Sequence, residues 1–390
     1  MDRLYPASLI ILPPVVVAAL FVLAPVFAVI VLDVMLPALD RREVSRRSPK
    51  GPSLHSMAMR SLCPAVLFAS LAAGVLFSAP DASASAPSAS DASSATIAPQ
   101  ANLKVAFIGD SGAGDNFAKV LRLIRSEKAD LVMHQGDFDY EGSPSTFEEA
   151  INSVLGASFP YFVSVGNHDE GDWKKYAGIF KARYKRVGAT PSTEDWSSQM
   201  YSLSYKGLSM VFIGANGNGA FPAFITSTFA RDPHIWKICS WHETQEAMQV
   251  GSKEDQMGWG VYEACRRAGA IVVTGHEHSY HRTKTLTSMT NQTVDPSCSD
   301  PANVCISPGR TFVAVSGLGG HSIRNQARCL PTTYPYGCKK EWAKIYTSDQ
   351  GATYGALFIV FNVDGDPHLA RGYFKNIKGE VVDDFTIRRQ

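Results

Sequence analysis

Residues 131–140, Leu-Val-Met-His-Gln-Gly-Asp-Phe-Asp-Tyr, begin as an apolar run and end in two carboxylates and a phenol. The apolar start predicts a strand buried in a sheet, with Asp137, Asp139 and Tyr140 on the loop that follows. A carboxylate at the C-terminal edge of a strand is costly to bury unless a cation or a donor stands opposite it. Asp137 is therefore expected to bridge two metal ions. Four further apolar runs end in possible ligands: 105–112 in Gly-Asp-Ser-Gly, 161–169 in Gly-Asn-His-Asp, 235–242 in Ser-Trp-His and 270–278 in Gly-His-Glu-His. The five strand ends together offer Asp110, Asp137, Tyr140, Asn167, His242, His276 and His278. Oxygen donors mixed with imidazoles suit iron, manganese or zinc better than calcium, and the lack of thiolates argues against a structural zinc site. Seven candidates are too many for one ion and suit two that share a carboxylate. Such a pair clamps a phosphoryl group and makes hydroxide from water at neutral pH, which is the chemistry of phosphate ester hydrolysis.

The elements that must position these residues follow from hydrophobic periodicity. Residues 104–109 predict a strand, and Phe117, Val120, Leu121 and Ile124 then fall on one helical face. A helix opened by Ser143 and Pro144 runs to Leu155, residues 161–166 form a strand, and 173–184 form a helix. Strand and helix alternate three times, which implies a largely parallel or mixed sheet with helices on its face. Residues 201–205 and 208–214 read as a hairpin joined at Lys206 and Gly207, followed by a strand at 235–240, a helix at 255–267 and a strand at 270–274. Residues 298–310 read as loop, 311–316 as a strand, and Gly317, Gly319 and Gly320 as a turn. Residues 354–363, 369–374 and 381–387 finish as antiparallel strands. This order predicts an α/β (α+β) fold in which two packed sheets are flanked by helices.

The chain has 390 residues, 45% apolar and 19% charged, with a formal charge of +1. Such a balance gives no reason to expect a polyanionic partner, and the absence of a basic stripe with interleaved aromatics argues against nucleic acid. The apolar excess lies in the first hundred residues. From Leu4 to Leu32 there is no charge, long enough to cross a bilayer, although Pro13, Pro14 and Pro25 would disturb a helix. A basic segment with Arg41, Arg42, Arg46, Arg47, Lys50 and Arg60 follows, and then a second uncharged run from Leu62 to Pro80 ahead of Ala82-Ser83-Ala84. Preceded by Met57, Met59 and Arg60, that second run reads as a secretory signal peptide. Translation is then expected to start at Met57 or Met59, with residues 1–56 an over-long gene model. The rival is a two-span membrane anchor with its basic loop in the cytoplasm. Both readings export the chemistry, and only the second gives the chain a membrane partner. Residues 57–84 are thus the signal-like segment, 85–101 a disordered Ala/Ser/Pro linker, and 102–390 the catalytic domain.

Six cysteines follow the signal-like run, which itself contains Cys63. In an exported chain Cys298 with Cys305, and Cys329 with Cys338, read as local disulfides. Cys239 and Cys265 lie in regular elements as candidate free thiols, with their pairing open. His134 reads as a core side chain, His281 as structural, His234 and His321 as loop residues, and Asp139 and Asp169 as hydrogen-bonding or turn-capping groups.

The five blocks, Gly109-Asp110-Ser111-Gly112, Gly136-Asp137-Phe138-Asp139-Tyr140, Gly166-Asn167-His168-Asp169, His242 and Gly275-His276-Glu277-His278, occur in that order. In this the chain resembles the calcineurin-like metallophosphoesterases, and among them the purple acid phosphatases in their single-domain form. The resemblance covers about residues 102–281. It implies the αββα metallophosphoesterase fold with a dinuclear metal site at the strand C-terminal ends. Asp110, Asp137, Tyr140 and His278 would hold one ion, typically ferric iron. Asp137, Asn167, His242 and His276 would hold a second, divalent ion (iron, zinc or manganese). Tyr140 would be the phenolate that colours the ferric site, and His168 a catalytic group that stabilises the phosphoryl oxygens or assists the leaving group. The implied activity is an acid phosphatase that hydrolyses small phosphate monoesters by attack of metal-bound hydroxide. A phosphodiesterase or nucleotidase on the same site, or a non-catalytic phosphate- or partner-binding protein, are the alternatives. His242 is followed by Glu243, Thr244, Gln245 and Glu246, where the family commonly has Pro and further His residues, so substrate preference does not carry over.

Overall fold

A computed structural model describes residues 100–390; the signal-like, anchor and linker readings of the N-terminal segment lie outside these residues. The chain enters the fold as strand β1 (Leu103–Ile108), helix α1 (Asp115–Ser126), β2 (Leu131–His134), α2 (Pro144–Leu155), β3 (Tyr161–Val163) and α3 (Trp173–Arg186). The hairpin β4 (Tyr201–Tyr205) and β5 (Leu208–Phe212) leads to α4 (Phe221–Phe229), β6 (Trp236–Ser240), α5 (Trp259–Ala268) and β7 (Ile271–Thr274). Next come β8 (Tyr280–Thr283), β9 (Leu286–Ser288), β10 (Thr293–Val294), β11 (Asn303–Ile306), β12 (Val313–Ser316) and β13 (Trp342–Tyr346). The chain closes with β14 (Gly355–Phe361), β15 (Leu369–Asn376) and β16 (Val381–Arg389).

Two seven-stranded mixed sheets result, ordered β11-β16-β15-β14-β1-β2-β3 and β13-β8-β12-β7-β6-β5-β4. The period-two alternation of side chains decides which residues face the other sheet. Leu208, Met210 and Phe212 of β5, Ile238 of β6, and Ile271 and Val273 of β7 join Phe107, Met133 and Phe162 of the first sheet in one apolar core. Their neighbours Val211, Cys239 and Val272 turn the other way and pack with Phe221, Ile225, Val261 and Tyr262 of α4 and α5. The outer face of the first sheet takes the buried side of α1, whose Phe117, Val120, Leu121 and Ile124 are the residues that the sequence places on one face. Two sheets flanked by helices are therefore what the element order predicts.

The structure departs from the sequence reading in several places. The helix expected at 255–267 begins only at Trp259, because residues before it are held to the loop after His242: Gln256 N–H donates to Thr244 O at 3.1 Å, Gly258 N–H to Gln245 Oε1 at 2.8 Å, and Gly258 has φ +76°. Within the expected loop 298–310, β11 pairs parallel with β16 and buries Val304 and Ile306. Strand β8, Tyr-His-Arg-Thr, carries no apolar signal, yet it is wholly buried because Asp383 takes Arg282 in two hydrogen bonds, Nε–Oδ2 at 2.8 Å and Nη2–Oδ1 at 3.0 Å. The disulfides Cys298–Cys305 and Cys329–Cys338 are present as expected. Cys239 and Cys265 are not free thiols but bond to each other, fastening β6 to α5. Among the described residues no helix is long and apolar enough to cross a membrane.

Candidate metal centre

Strands β1, β2 and β3 run parallel, as do β5, β6, β7 and β12, so their carboxyl ends open on common edges where α/β sheets place ligands. The loops leaving β1, β2, β3, β6 and β7 carry the candidate residues. Asp110, Asp137, Tyr140 and His276 all adopt left-handed backbone, with φ between 56° and 69°. Such a conformation costs a residue with a side chain roughly 1–3 kcal/mol and tends to collect at working sites. Close approach is enforced as well: a Cβ on Gly166 would lie 2.2 Å from both the Asp137 nitrogen and its Oδ1.

The side chains converge in two groups. Ligating atoms of Asp137, His242 and His276 lie within 4.8 Å of one another, and so do those of Asp110, Asp137 and His278; Asp137 belongs to both. His242 Nε2 is 3.2 Å from Asp137 Oδ2 and 3.1 Å from His276 Nδ1. His278 Nε2 is 3.2 Å from Asp110 Oδ1, and the Tyr140 hydroxyl lies 3.2 Å from His278 Nε2 and 3.4 Å from Asp110 Oδ1. Asn167 sits at the next strand end, with its Oδ1 buried and without a hydrogen-bond partner. His276 Nε2 is likewise buried and unpartnered. Buried polar atoms left unpaired in this way are expensive unless something binds them, and the set of carboxylates, imidazoles, phenol and amide fits two cations.

Supporting hydrogen bonds fix how these groups point. His242 Nδ1 faces the Gln135 carbonyl at 2.7 Å, which leaves Nε2 directed at the carboxylates. The His276 N–H donates to Asp110 Oδ2 at 2.9 Å, and the His168 N–H to Asp137 Oδ1 at 3.0 Å. Burial pushes the His242 imidazole down, but the Asp137 and Asp110 carboxylates beside it together pull it up to about 10. Burial raises the Asp137 carboxyl, and His242 more than reverses this, leaving it well below the ordinary carboxylate range. Burial and the neighbouring carboxylates drive the Tyr140 phenol up. The raised imidazole and the raised phenol both express the negative charge of the carboxylates beside them, which a cation would offset.

The imidazole of His168 stays exposed at the rim, its ring centroid 4.7 Å from that of Tyr140. His134 and His281 are core groups: the first faces Ser111 Oγ at 3.0 Å, and the second meets the Trp342 ring edge-on at 5.0 Å. Asp139 accepts the N–H groups of Glu141, Gly142 and Ser143, holding the turn behind Tyr140. His321 is a loop residue, as read from the sequence, and from that loop it stacks on Tyr140 with centroids 3.7 Å apart and 15° between planes. It stands after β12, whose end leads into Gly-Leu-Gly-Gly-His, so a sixth strand end joins the five that carry the candidate residues. Glu243, which replaces the family's pocket-shaping residues, is buried and structural: it accepts the Asn216 N–H at 2.7 Å and Gln256 Nε2 at 3.1 Å.

Paired sheets flanked by helices, with carboxylates and imidazoles gathered at strand ends, define the metallophosphoesterase fold. Residues 103–280 match the model of the calcineurin-like phosphoesterase family. Among solved structures, a purple acid phosphatase isolated from yellow lupin (Lupinus luteus) seeds superposes with a TM-score of 0.56 at 17% identity. The match covers 75% of this chain but 55% of the lupin chain, so this protein spans about half the length of that relative and shares its fold. PhoD, at a TM-score of 0.43, 11% identity and 75% of each chain, aligns more loosely. So does a predicted phosphoesterase from Streptococcus pneumoniae, at 0.29, 12% identity, 74% of this chain and 99% of that one. The sequence matches none of the curated proteins compared with it.

Proposed function

We propose that the protein is an exported, dinuclear-metal phosphoesterase that hydrolyses small phosphate monoesters in the manner of an acid phosphatase. The observation that carries this reading is the membership of Asp137 in both ligand groups. Asp110, Asp137, Tyr140 and His278 would hold one ion, and Asp137, Asn167, His242 and His276 the other. A phenol in the first group favours ferric iron there, and the mixed oxygen and nitrogen donors of the second suit a divalent iron, zinc or manganese ion. When bound, such a pair supplies Lewis-acid stabilisation of the phosphoryl oxygens and a water acidified enough to attack phosphorus.

The chain's own residues supply orientation and proton handling. Gln135 O turns His242 toward the carboxylates, and the backbone of His168 and His276 pins Asp137 and Asp110. His168, tethered through its N–H yet exposed at its ring, is placed to donate to the departing ester oxygen or to a phosphoryl oxygen. Three disulfides suit an oxidising compartment, which supports export. The formal charge of +1 supports a small substrate rather than nucleic acid.

Hydrolysis of an aryl phosphate monoester and of the matching diester, measured across pH with Asp137→Ala as control, tests the assignment. Faster monoester turnover at acid pH, lost in the control, is expected. Diester preference would move the reading to a phosphodiesterase, and no turnover of either with metals in place would leave a binding protein.

A further inference from the structure

The loop that follows β12 carries no residue of either ligand group, yet it is bonded directly to the first of them. Gly319 N–H donates to Gly109 O at 2.9 Å, His321 N–H to Asp110 O at 3.0 Å and Arg324 N–H to His278 O at 2.9 Å. The Ser322 hydroxyl hydrogen-bonds with His278 Nδ1, which leaves Nε2 to face Asp110, as Gln135 O does for His242. So close a fit needs glycine at its apex: Gly320 has φ +152°, and a Cβ there would stand 2.5 Å from Ser111 O. The backbone that carries His321 is therefore fixed relative to Asp110 and His278.

From that position the imidazole lies face to face with Tyr140, centroids 3.7 Å apart, and stands nearly perpendicular to His278 at 5.6 Å. Gly112 makes the room beside it, since a Cβ there would already touch the His321 ring at 3.8 Å. The side chain is nonetheless exposed, and no protein group among the described residues hydrogen-bonds with either ring nitrogen. Stacking on Tyr140 accounts for a flat ring at this place but not for one that carries a polar N–H. His168, tethered to Asp137 through its backbone, reaches the same phenol ring with centroids 4.7 Å apart. Two imidazoles thus flank Tyr140 at the rim of the centre.

We propose that His321 is a further substrate-contacting residue, its ring N–H donating to an oxygen of the phosphoryl group bound beside Tyr140 and His278. This rests on the phosphoesterase reading above and gives the phosphoryl group a second imidazole donor besides His168. The groups that His321 adjoins are the ligands themselves, and the phosphoryl oxygens are the part of the substrate that meets them. Its contribution is therefore the same for good and poor leaving groups. The reaction is unchanged: water adds to phosphorus, the ester P–O bond breaks, and the leaving oxygen takes the proton.

The test uses the full chain loaded with metal, calorimetric titration with inorganic phosphate, and hydrolysis of two aryl phosphates of high and low leaving-group acidity. His321→Phe keeps a flat ring on Tyr140 and removes the donor, whereas His321→Asn and His321→Gln remove the ring and set an amide near Nδ1 or Nε2. The Phe variant should weaken phosphate binding and lower kcat/KM about tenfold, the size of one hydrogen bond to a charged group, equally on both esters and with metal content unchanged. One of the two amide variants should recover most of that loss. Wild-type affinity and turnover in His321→Phe would make the ring a packing contact and overturn the proposal. An equal loss in all three variants, or a loss of metal in His321→Phe, would make it a support for Tyr140 and overturn it too. So would a loss that grows as the leaving group becomes less acidic, which would put the donor on the leaving oxygen. No turnover of either ester by metal-loaded wild type would overturn the phosphoesterase reading, while the phosphate titration would still decide the role of His321.

Discussion

Asp169 holds Asp137 in place through the backbone: its Oδ2 accepts the N–H of Asp137 and of Gly166, each at 2.8 Å, and its Oδ1 accepts that of Phe138 at 2.9 Å. One buried carboxylate thus locks the loop after β2 to the loop after β3. Asp169→Ala leaves three buried donors unpaired, at about 1–3 kcal/mol for each left unsatisfied. The variant is expected to lose roughly 3 kcal/mol of stability or more and most of its bound metal. Chemical denaturation paired with elemental analysis checks both, and a stable variant with full metal content would contradict the role.

His321 covers one face of the Tyr140 ring, and an aromatic pair contributes about 0.5–1.5 kcal/mol beyond its burial. His321→Ala is expected to move the phenolate-to-metal absorption band of the loaded protein and to lower kcat several-fold, whereas His321→Phe should keep the band close to its wild-type position. Visible spectra of the three proteins decide the matter. Superimposable spectra for wild type and His321→Ala would show that the stack does not reach the metal electronically.

The Cys239–Cys265 bond closes a loop of sequence separation 26 that contains His242. Chain-entropy arguments assign such a loop about 3 kcal/mol. The double substitution Cys239→Ala, Cys265→Ala should lower the denaturant midpoint accordingly. Mass mapping of the non-reduced protein should find these two cysteines in one linked peptide pair, and recovery of free thiols at both would refute the bond.

Glu127, at the end of α1, gives a pH signature away from the site. Burial raises its carboxyl, but hydrogen bonds from Lys375 and Tyr373 and the charges of Lys375 and Lys104 bring it below the ordinary value. A lowered folded pKa means that the stabilisation is full above the unfolded value and fades as pH falls through the folded one. The melting-temperature gap between wild type and Glu127→Gln should therefore be constant above roughly pH 5 and close as acid is added. A gap that widens toward low pH would reverse the assignment.

The site was legible in the sequence because each candidate ligand follows an apolar run, and a parallel sheet delivers such ends to one edge. Asp110, Asp137, Tyr140, His242, His276 and His278 meet for that reason. His321 obeys the same rule after β12 but lies beyond the matched blocks, among glycines that read as a simple turn. Strand β8 was hidden because its burial depends on Asp383, 101 residues away from Arg282. The late start of α5 depends on contacts of residues 255–258 with the loop after His242. Periodicity within a window carries neither kind of long-range partner.

Metal stoichiometry of the purified full-length protein tests the central claim most directly. Elemental analysis should find two transition-metal ions per chain in the wild type, and Asp137→Ala, which removes the carboxylate common to both groups, should lose both. One ion per chain, or a metal content untouched by Asp137→Ala, would contradict a shared dinuclear centre.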